Sequence, residues 1–144
     1  MAGSRAHAFA PFEVWAPVLR TPGVTFINLQ YGDCSPEIDL ARRDLGVSIQ
    51  SAPGLDLRQD LEGVAALASA LDLVVGVSNA SFNLAAACGA PAWLVAAADA
   101  WTPLGSDSYP WYPQVRLFQA AGPGDWLRVY GRVAEALAYR VAHG

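Results

Sequence analysis

Leu73-Val-Val-Gly-Val77 is a near-continuous apolar run, bounded by Asp72 before it and by the small polar residues Ser78 and Asn79 after it. It does not alternate between apolar and polar positions. It therefore reads as a strand buried on both faces, the condition of a central strand in a parallel sheet. The residues from Asn79 to Cys88 are nearly all small, read as a helix, and end at Gly89. Gly89-Ala-Pro91 then leads into a further apolar strand, Pro91 to Val95. A strand that passes through a short turn straight into a helix aims the helix's free N–H groups and positive dipole end at the carboxyl edge of the sheet. Open α/β sheets bind ligands at that edge.

The rest of the chain repeats the alternation. A helix is expected from Pro11 through Val14, Trp15, Val18 and Leu19, stopping before Pro22-Gly23. Val24 to Gln30 is β-branched and aromatic, which favours a strand. Ser35-Pro36-Glu37 has the pattern of a helix start, with Ser35 as the cap, and that helix runs to Gly46. Val47 to Gln50 is a short strand. Asp60 caps a helix carrying Leu61, Val64, Leu67, Ala68 and Leu71 at helical spacing. Ala98 to Pro113 is a long aromatic loop, Val115 to Phe118 the last strand, and Gly124 to Ala142 a terminal helix with Trp126, Val129, Val133 and Leu137 on one stripe. The expected fold is an α/β, three-layer Rossmann-like domain with a mostly parallel sheet. Such domains ordinarily begin with a strand, so a first strand is expected to be missing before Pro11. Residues 1–10 read as a disordered leader or expression remnant, and residues 11–144 as the domain.

Composition narrows the chemistry. The chain has 144 residues, a formal net charge of −4 and 15% charged residues, and all nine of its basic residues are arginine. Without lysine there is no P-loop lysine, Schiff base or Ser-Lys dyad. An acidic chain with no dense run of arginine is a poor partner for nucleic acid. The histidines, His7 and His143, lie at the chain ends, poorly placed for a base held against a nucleophile. Cys34 and Cys88 are far apart and lack paired ligands, so no metal is expected, and two lone thiols suit a cytoplasmic protein. No apolar run reaches the roughly 20 residues of a membrane span.

Several ordered segments carry a resemblance. Ala70 to Val95 resembles the "D-T-x-x-x-H-L-A-x-A-L-G-x-P" stretch of the heptosyltransferase-like glycosyltransferases. Trp15-Ala-Pro-Val-Leu with Pro22-Gly-Val-Thr-Phe-Ile-Asn-Leu-Gln30, Asp60-Leu-Glu-Gly-Val-Ala-Ala-Leu, Trp111-Tyr-Pro-Gln-Val-Arg-Leu-Phe118 and Gly124-Asp-Trp126 are similar to further motifs of the bacterial glycosyltransferase domain that follows tetratricopeptide repeats. The resemblance implies the C-terminal, nucleoside-diphosphate-sugar-binding half of a GT-B glycosyltransferase, inactive in hexosyl or heptosyl transfer without its N-terminal half, with no cofactor besides the sugar nucleotide. Its partners would be the sugar nucleotide, the missing N-terminal domain and the repeats. The family's Asp-Thr is Ser78-Asn79 here, and its His is Asn83. Neither replacement supplies a full charge, which leaves open a non-catalytic ligand-binding or interaction domain on the same fold.

Two segments are candidates for the ligand edge. Ser78, Asn79, Ala80 and Ser81, with Asn83 one turn further on, would hold a diphosphate. The competing reading is an ordinary helix cap, which favours Ser and Asn with or without a ligand. Gln30, Tyr31, Gly32 and Asp33 follow the first strand on the same edge, where Asp33 would accept a ribose or sugar hydroxyl. The alternative is a turn that merely uses Gly and Asp. Trp101, Tyr109, Trp111 and Tyr112 offer stacking faces or a lid over core, and Asp99 and Asp107 read as solvated. Cys88, among alanines, is expected to pack as a small apolar residue. No residue is a convincing general base. Another parallel α/β enzyme, an epimerase or hydrolase, lacks its usual marks, since there is no Gly-x-Gly-x-x-Gly and no interior His. A missing central strand would expose strand edges and invite self-association.

Overall fold

The computed structural model describes residues 10–99 and 111–144. Of the residues read as leader, 1–10, the first nine lie outside the described residues, as do Trp101, Asp107 and Tyr109. Strands β1 (Phe26–Ile27), β2 (Ile49–Gln50), β3 (Val74–Gly76), β4 (Ala92–Ala96) and β5 (Arg116–Gln119) alternate with helices. A 3-10 turn, Phe12–Trp15, leads into α1, Ala16–Leu19. Then follow α2 (Ser35–Leu40), α3 (Leu61–Ala70), α4 (Ala80–Ala87) and α5 (Trp126–His143). All strand pairs are parallel, as expected for an α/β Rossmann-like domain.

Strand β4 shows how the layers form. All five of its residues are buried. Trp93 and Val95 join a cluster with Val14, Val18, Phe118, Trp126, Val129, Tyr130 and Val133, which is the face covered by α1 and α5. Ala92 and Leu94 join a second cluster with Ala68, Phe82, Ala85 and Ala86, the face covered by α3 and α4. Successive side chains of a strand point to opposite faces, so one strand between two helix layers contributes to both cores. α5 presents Trp126, Val129, Tyr130, Val133 and Leu137 to the first cluster and leaves Leu127, Arg128 and Arg132 in solvent, the one-sided stripe of a surface helix. Trp15 leans on Tyr130 with ring centroids 4.8 Å apart.

The sheet is not continuous. Its strands form a two-stranded sheet, β1-β2, and a three-stranded sheet, β3-β4-β5. The expected single parallel sheet is thus divided between β1 and β3. As a consequence β3 is not the doubly buried central strand that its apolar run suggests. Val74 is buried, while Val75 and Gly76 are half-buried, and β4 takes the central position instead.

Local departures have local causes. Ser35 is not the cap of α2 but its first residue, because the Asp33 carboxylate takes the Ser35 N–H at 3.0 Å. α2 widens into a π turn, Ala41–Leu45, before Gly46 ends it at φ +66°, a conformation that glycine adopts without the clash of a Cβ. Asp60 caps α3 as expected, its carboxylate accepting the Gly63 N–H at 2.8 Å. Leu61 is 60% exposed and lies off the buried stripe carried by Val64 and Ala68. Cys88 is exposed rather than packed, because it falls at the end of α4 beyond the buried pair Ala85–Ala86.

One core group is unsatisfied. The Tyr130 hydroxyl is buried without a hydrogen-bond partner among the described residues, a situation that costs about 1–3 kcal/mol. Burial also pushes its pKa well above the usual phenol value of 10.0. A group whose folded pKa is raised contributes stability below its unfolded value and loses it as pH climbs past that value. Tyr130→Phe is therefore expected to raise unfolding stability by about 1 kcal/mol at neutral pH and to reduce the loss of stability above pH 10, both read by urea denaturation across pH. Asp60→Ala is expected to cost about 1 kcal/mol through loss of the α3 cap, with Asp60→Asn retaining most of it. Thermal unfolding of the three chains checks this.

Candidate functional site

In parallel strands every carboxyl end lies at one edge, so the loops after β1, β3, β4 and β5 share a rim. The two candidate segments follow β1 and β3. Leu29, just past β1, packs on the cluster that holds Phe82 and Ala85 of α4. The two candidate segments thus adjoin residues of one apolar cluster, Leu29 for the first and Phe82 for the second. The division of the sheet falls between them.

The segment after β3 is built around Asn79. Its backbone is extended (φ −136°, ψ 178°), and its side-chain oxygen accepts the Phe82 N–H at 2.9 Å, which makes it the cap of α4. Asn83 donates its side-chain amide to the Asn79 carbonyl at 2.8 Å and to the Ser78 hydroxyl at 3.3 Å. Asn79 and Asn83 are thus joined one turn apart, as their spacing suggests, but they hold each other and the turn. Capping takes up the third N–H of the helix. Those of Ala80 and Ser81, in the first turn, have no intrahelical acceptor. Ser78 and Ala80 are exposed, whereas Ser81 is buried, at 7% exposure. Of the candidate residues in this segment Ser81 is therefore the least open to solvent.

The segment after β1 is folded upon itself. The Asn28 side chain accepts the Gln30 N–H at 3.0 Å and donates to the Gln30 carbonyl at 3.2 Å, a closed ring that fixes the exit from the strand. Tyr31 stands 47% exposed. Gly32 adopts φ +92°, so the turn needs glycine there. The Asp33 carboxylate is engaged with Ser35, whose side chain and N–H hold its pKa below the ordinary value. Asp33 thus works as the turn-forming Asp of the competing reading. Desolvation raises the Cys34 thiol, with Glu37 and Asp33 adding to it, so this cysteine stays protonated and is a weak nucleophile.

Further along the rim, Gln119 at the end of β5 donates to the carbonyls of Ala97 and Ala98, tying the exits of β4 and β5 together. Arg132 of α5 donates to the Gln119 carbonyl at 2.6 Å. Ala98, Gly124 and Trp126 help line a small cavity there of about 30 Å³, room for a single water. Sequence reasoning missed Asn28, Gln119 and Arg132. Asn28 had a legible signal, an Asn at a strand exit followed two residues later by a polar turn, but Gln119 and Arg132 had none. A larger open hollow of about 460 Å³ lies at the opposite rim, between the approaches to β1 and β2, and includes none of the candidate residues. Trp111 is 53% exposed, Tyr112 packs on the second cluster, and Asp99 is exposed. Among the described residues no three His, Cys, Asp or Glu side chains converge to hold a metal.

The residues that carried the glycosyltransferase resemblance have structural work. Trp15 and Trp126 pack around Tyr130, Asp60 caps a helix, and Gly89 at φ +81° makes the turn before β4. These contacts account for the residues without a ligand, so the motif set does not by itself specify a chemistry. No family model matches the chain, and no solved structure matches it. "Protein FlbA" of Caulobacter vibrioides (strain ATCC 19089 / CIP 103742 / CB 15) is 54% identical to it over 133 residues, 92% of this chain and 22% of that protein. The chain therefore spans about a fifth of the length of the curated relative it matches. That relative is named neither as a glycosyltransferase nor as a tetratricopeptide-repeat protein, which overturns the resemblance stated above.

Proposed function

We propose that this domain binds a nucleoside-diphosphate sugar at the rim between β1 and β3, without catalysing a reaction on it. The observation that carries the reading is the shared apolar floor of Leu29 and Phe82, which gathers two turn segments at the point where the strand order divides. Ligands of open α/β sheets bind at that kind of switch point. The N–H groups of Ala80 and Ser81, without an acceptor among the described residues and at the positive end of α4, suit a diphosphate. Ser78 and Tyr31, both exposed, suit the sugar and the base. Nothing in either segment suits proton transfer. Asp33 is held as a carboxylate by Ser35, and Asn79 and Asn83 do not titrate. The ligand is small and soluble, and with two free thiols the reading places the domain in the cytoplasm. No helix among the described residues is long and apolar enough to cross a membrane.

A second reading, a protein-interaction domain, rests on the outer face of α5. There Leu127 and Tyr139 are 75% and 67% exposed.

A thermal-shift screen against UDP-, GDP-, ADP- and CMP-sugars tests the proposal. One of them is expected to raise the melting temperature in a concentration-dependent way, by the equivalent of about 2.7 kcal/mol at a hundred times its Kd. Asn79→Asp keeps the helix cap but sets a carboxylate against the diphosphate, so the folded chain should lose the ligand-induced shift. Asn79→Ala loses both the cap, at about 1 kcal/mol, and much of the shift. A folded chain that shifts with none of the four contradicts the reading.

A further inference from the structure

The division between β1 and β3 leaves two strand edges without a partner among the described residues. The Asn28 N–H donates to the Gln50 carbonyl at 2.7 Å, so this side of β1 faces β2. The Val74 N–H donates to the Pro91 carbonyl at 2.9 Å, so this side of β3 faces β4. In a parallel strand the N–H and C=O of one residue point the same way, and those of the next residue point the opposite way. The main-chain groups of Ile27 therefore point away from β2, and those of Val75 point away from β4. Among the described residues neither finds a partner on that side.

Both sides of the division are apolar. Phe26, Leu73 and Val75 rest on the cluster floored by α1 and α5. Leu29 and Val74 rest on the cluster covered by α3 and α4. The two strand orders, β2-β1 and β3-β4-β5, correspond to the doubly wound order 3-2-1-4-5-6 with one strand left out between β1 and β3.

We propose that the division is an acceptor for an extended apolar strand contributed by a polypeptide segment outside this chain, running parallel to β1 and β3 and hydrogen-bonded to both. Ile27 and Val75 each leave an N–H and a C=O without a ladder partner among the described residues, groups that a backbone running between the two strands would satisfy. Apolar cover on both faces asks for β-branched or aliphatic side chains at successive positions, as in any central parallel strand. Among its described residues a second copy of this chain has no such strand to give. β4 is paired on both sides. β2 is two residues long, and β5 carries Arg116, whose guanidinium lies over Phe118, and Gln119, which is tied to Ala97 and Ala98. The proposal is independent of the sugar-nucleotide reading, because it concerns the strand edges and not the rim.

The test is fluorescence anisotropy with three labelled peptides. Each has a core of Thr-Val-Ile-Val-Val-Thr, offset by one residue between solubilising Ser-Arg flanks, and each is also made N-methylated at alternate core residues of one set or the other. The unmethylated peptide is expected to bind, and methylation of either set to weaken it at least tenfold, since each set faces a different edge. A Gly-Ser peptide with the same flanks should not bind. Binding that is indifferent to methylation is mere hydrophobic adhesion and overturns the proposal. Sensitivity to only one set means docking on a single edge and also overturns it. So does failure of all three peptides at millimolar concentration with a folded chain. A chain that light scattering shows to be dimeric, and that the peptides do not dissociate, assigns the division to a second copy instead.

Discussion

Strand β4 holds the molecule together by serving two cores at once. Trp93 and Val95 fill the space under α1 and α5, and Ala92 and Leu94 fill the space under α3 and α4. The size asymmetry is meaningful. The large residues of the first set meet Phe118, Trp126 and Tyr130, while the small and medium residues of the second meet the alanines of α4. An alanine-rich helix can approach a sheet closely, and that close approach sets where its N-terminus emerges. The position of Asn79 at the rim thus follows from Ala85 and Ala86 lying flat on β4.

The same architecture explains why the outer elements are shorter than their sequences suggest. β4 is supported by strands on both sides and is five residues long. β1, on the far side of the division, has a neighbour on one side and extends over two residues. A strand with one partner satisfies only half of its main-chain groups through the ladder, so the chain leaves the extended state sooner. β3 is cut back for the same reason. The rim where the candidate segments meet and the unpaired edges behind it are two consequences of one division in the sheet.

Much of this was legible in the residues. The α/β alternation, the Asp60 cap, the α5 stripe from Trp126 to Leu137 and the turn into α4 at Asn79 were all written in local chemistry. What was not legible depended on partners distant in sequence. An apolar run such as Leu73–Val77 does not reveal whether a neighbour will pair with both of its edges. Leu61 fits a helical period as well as Val64 does, and only the direction of the sheet beneath decides that one is buried. The acidic and polar residues of the candidate segments have local structural roles that their position in the sequence does not reveal. Asp33 engages Ser35, Ser81 is buried, and Asn79 and Asn83 hold one another. The motif set that resembled glycosyltransferases consists of residues that build the scaffold, which is why it described the fold better than the chemistry.

The most direct test of a sheet divided between β1 and β3 is residue-resolved amide hydrogen exchange on the free chain. The amides of Asn28 and Val74, bonded to Gln50 and Pro91, are expected to be protected. Those of Ile27 and Val75, their sequence neighbours pointing into the division, should exchange at least about a hundredfold faster. Equal protection of all four amides would mean that the two edges are already paired, and the account of an open division would be wrong.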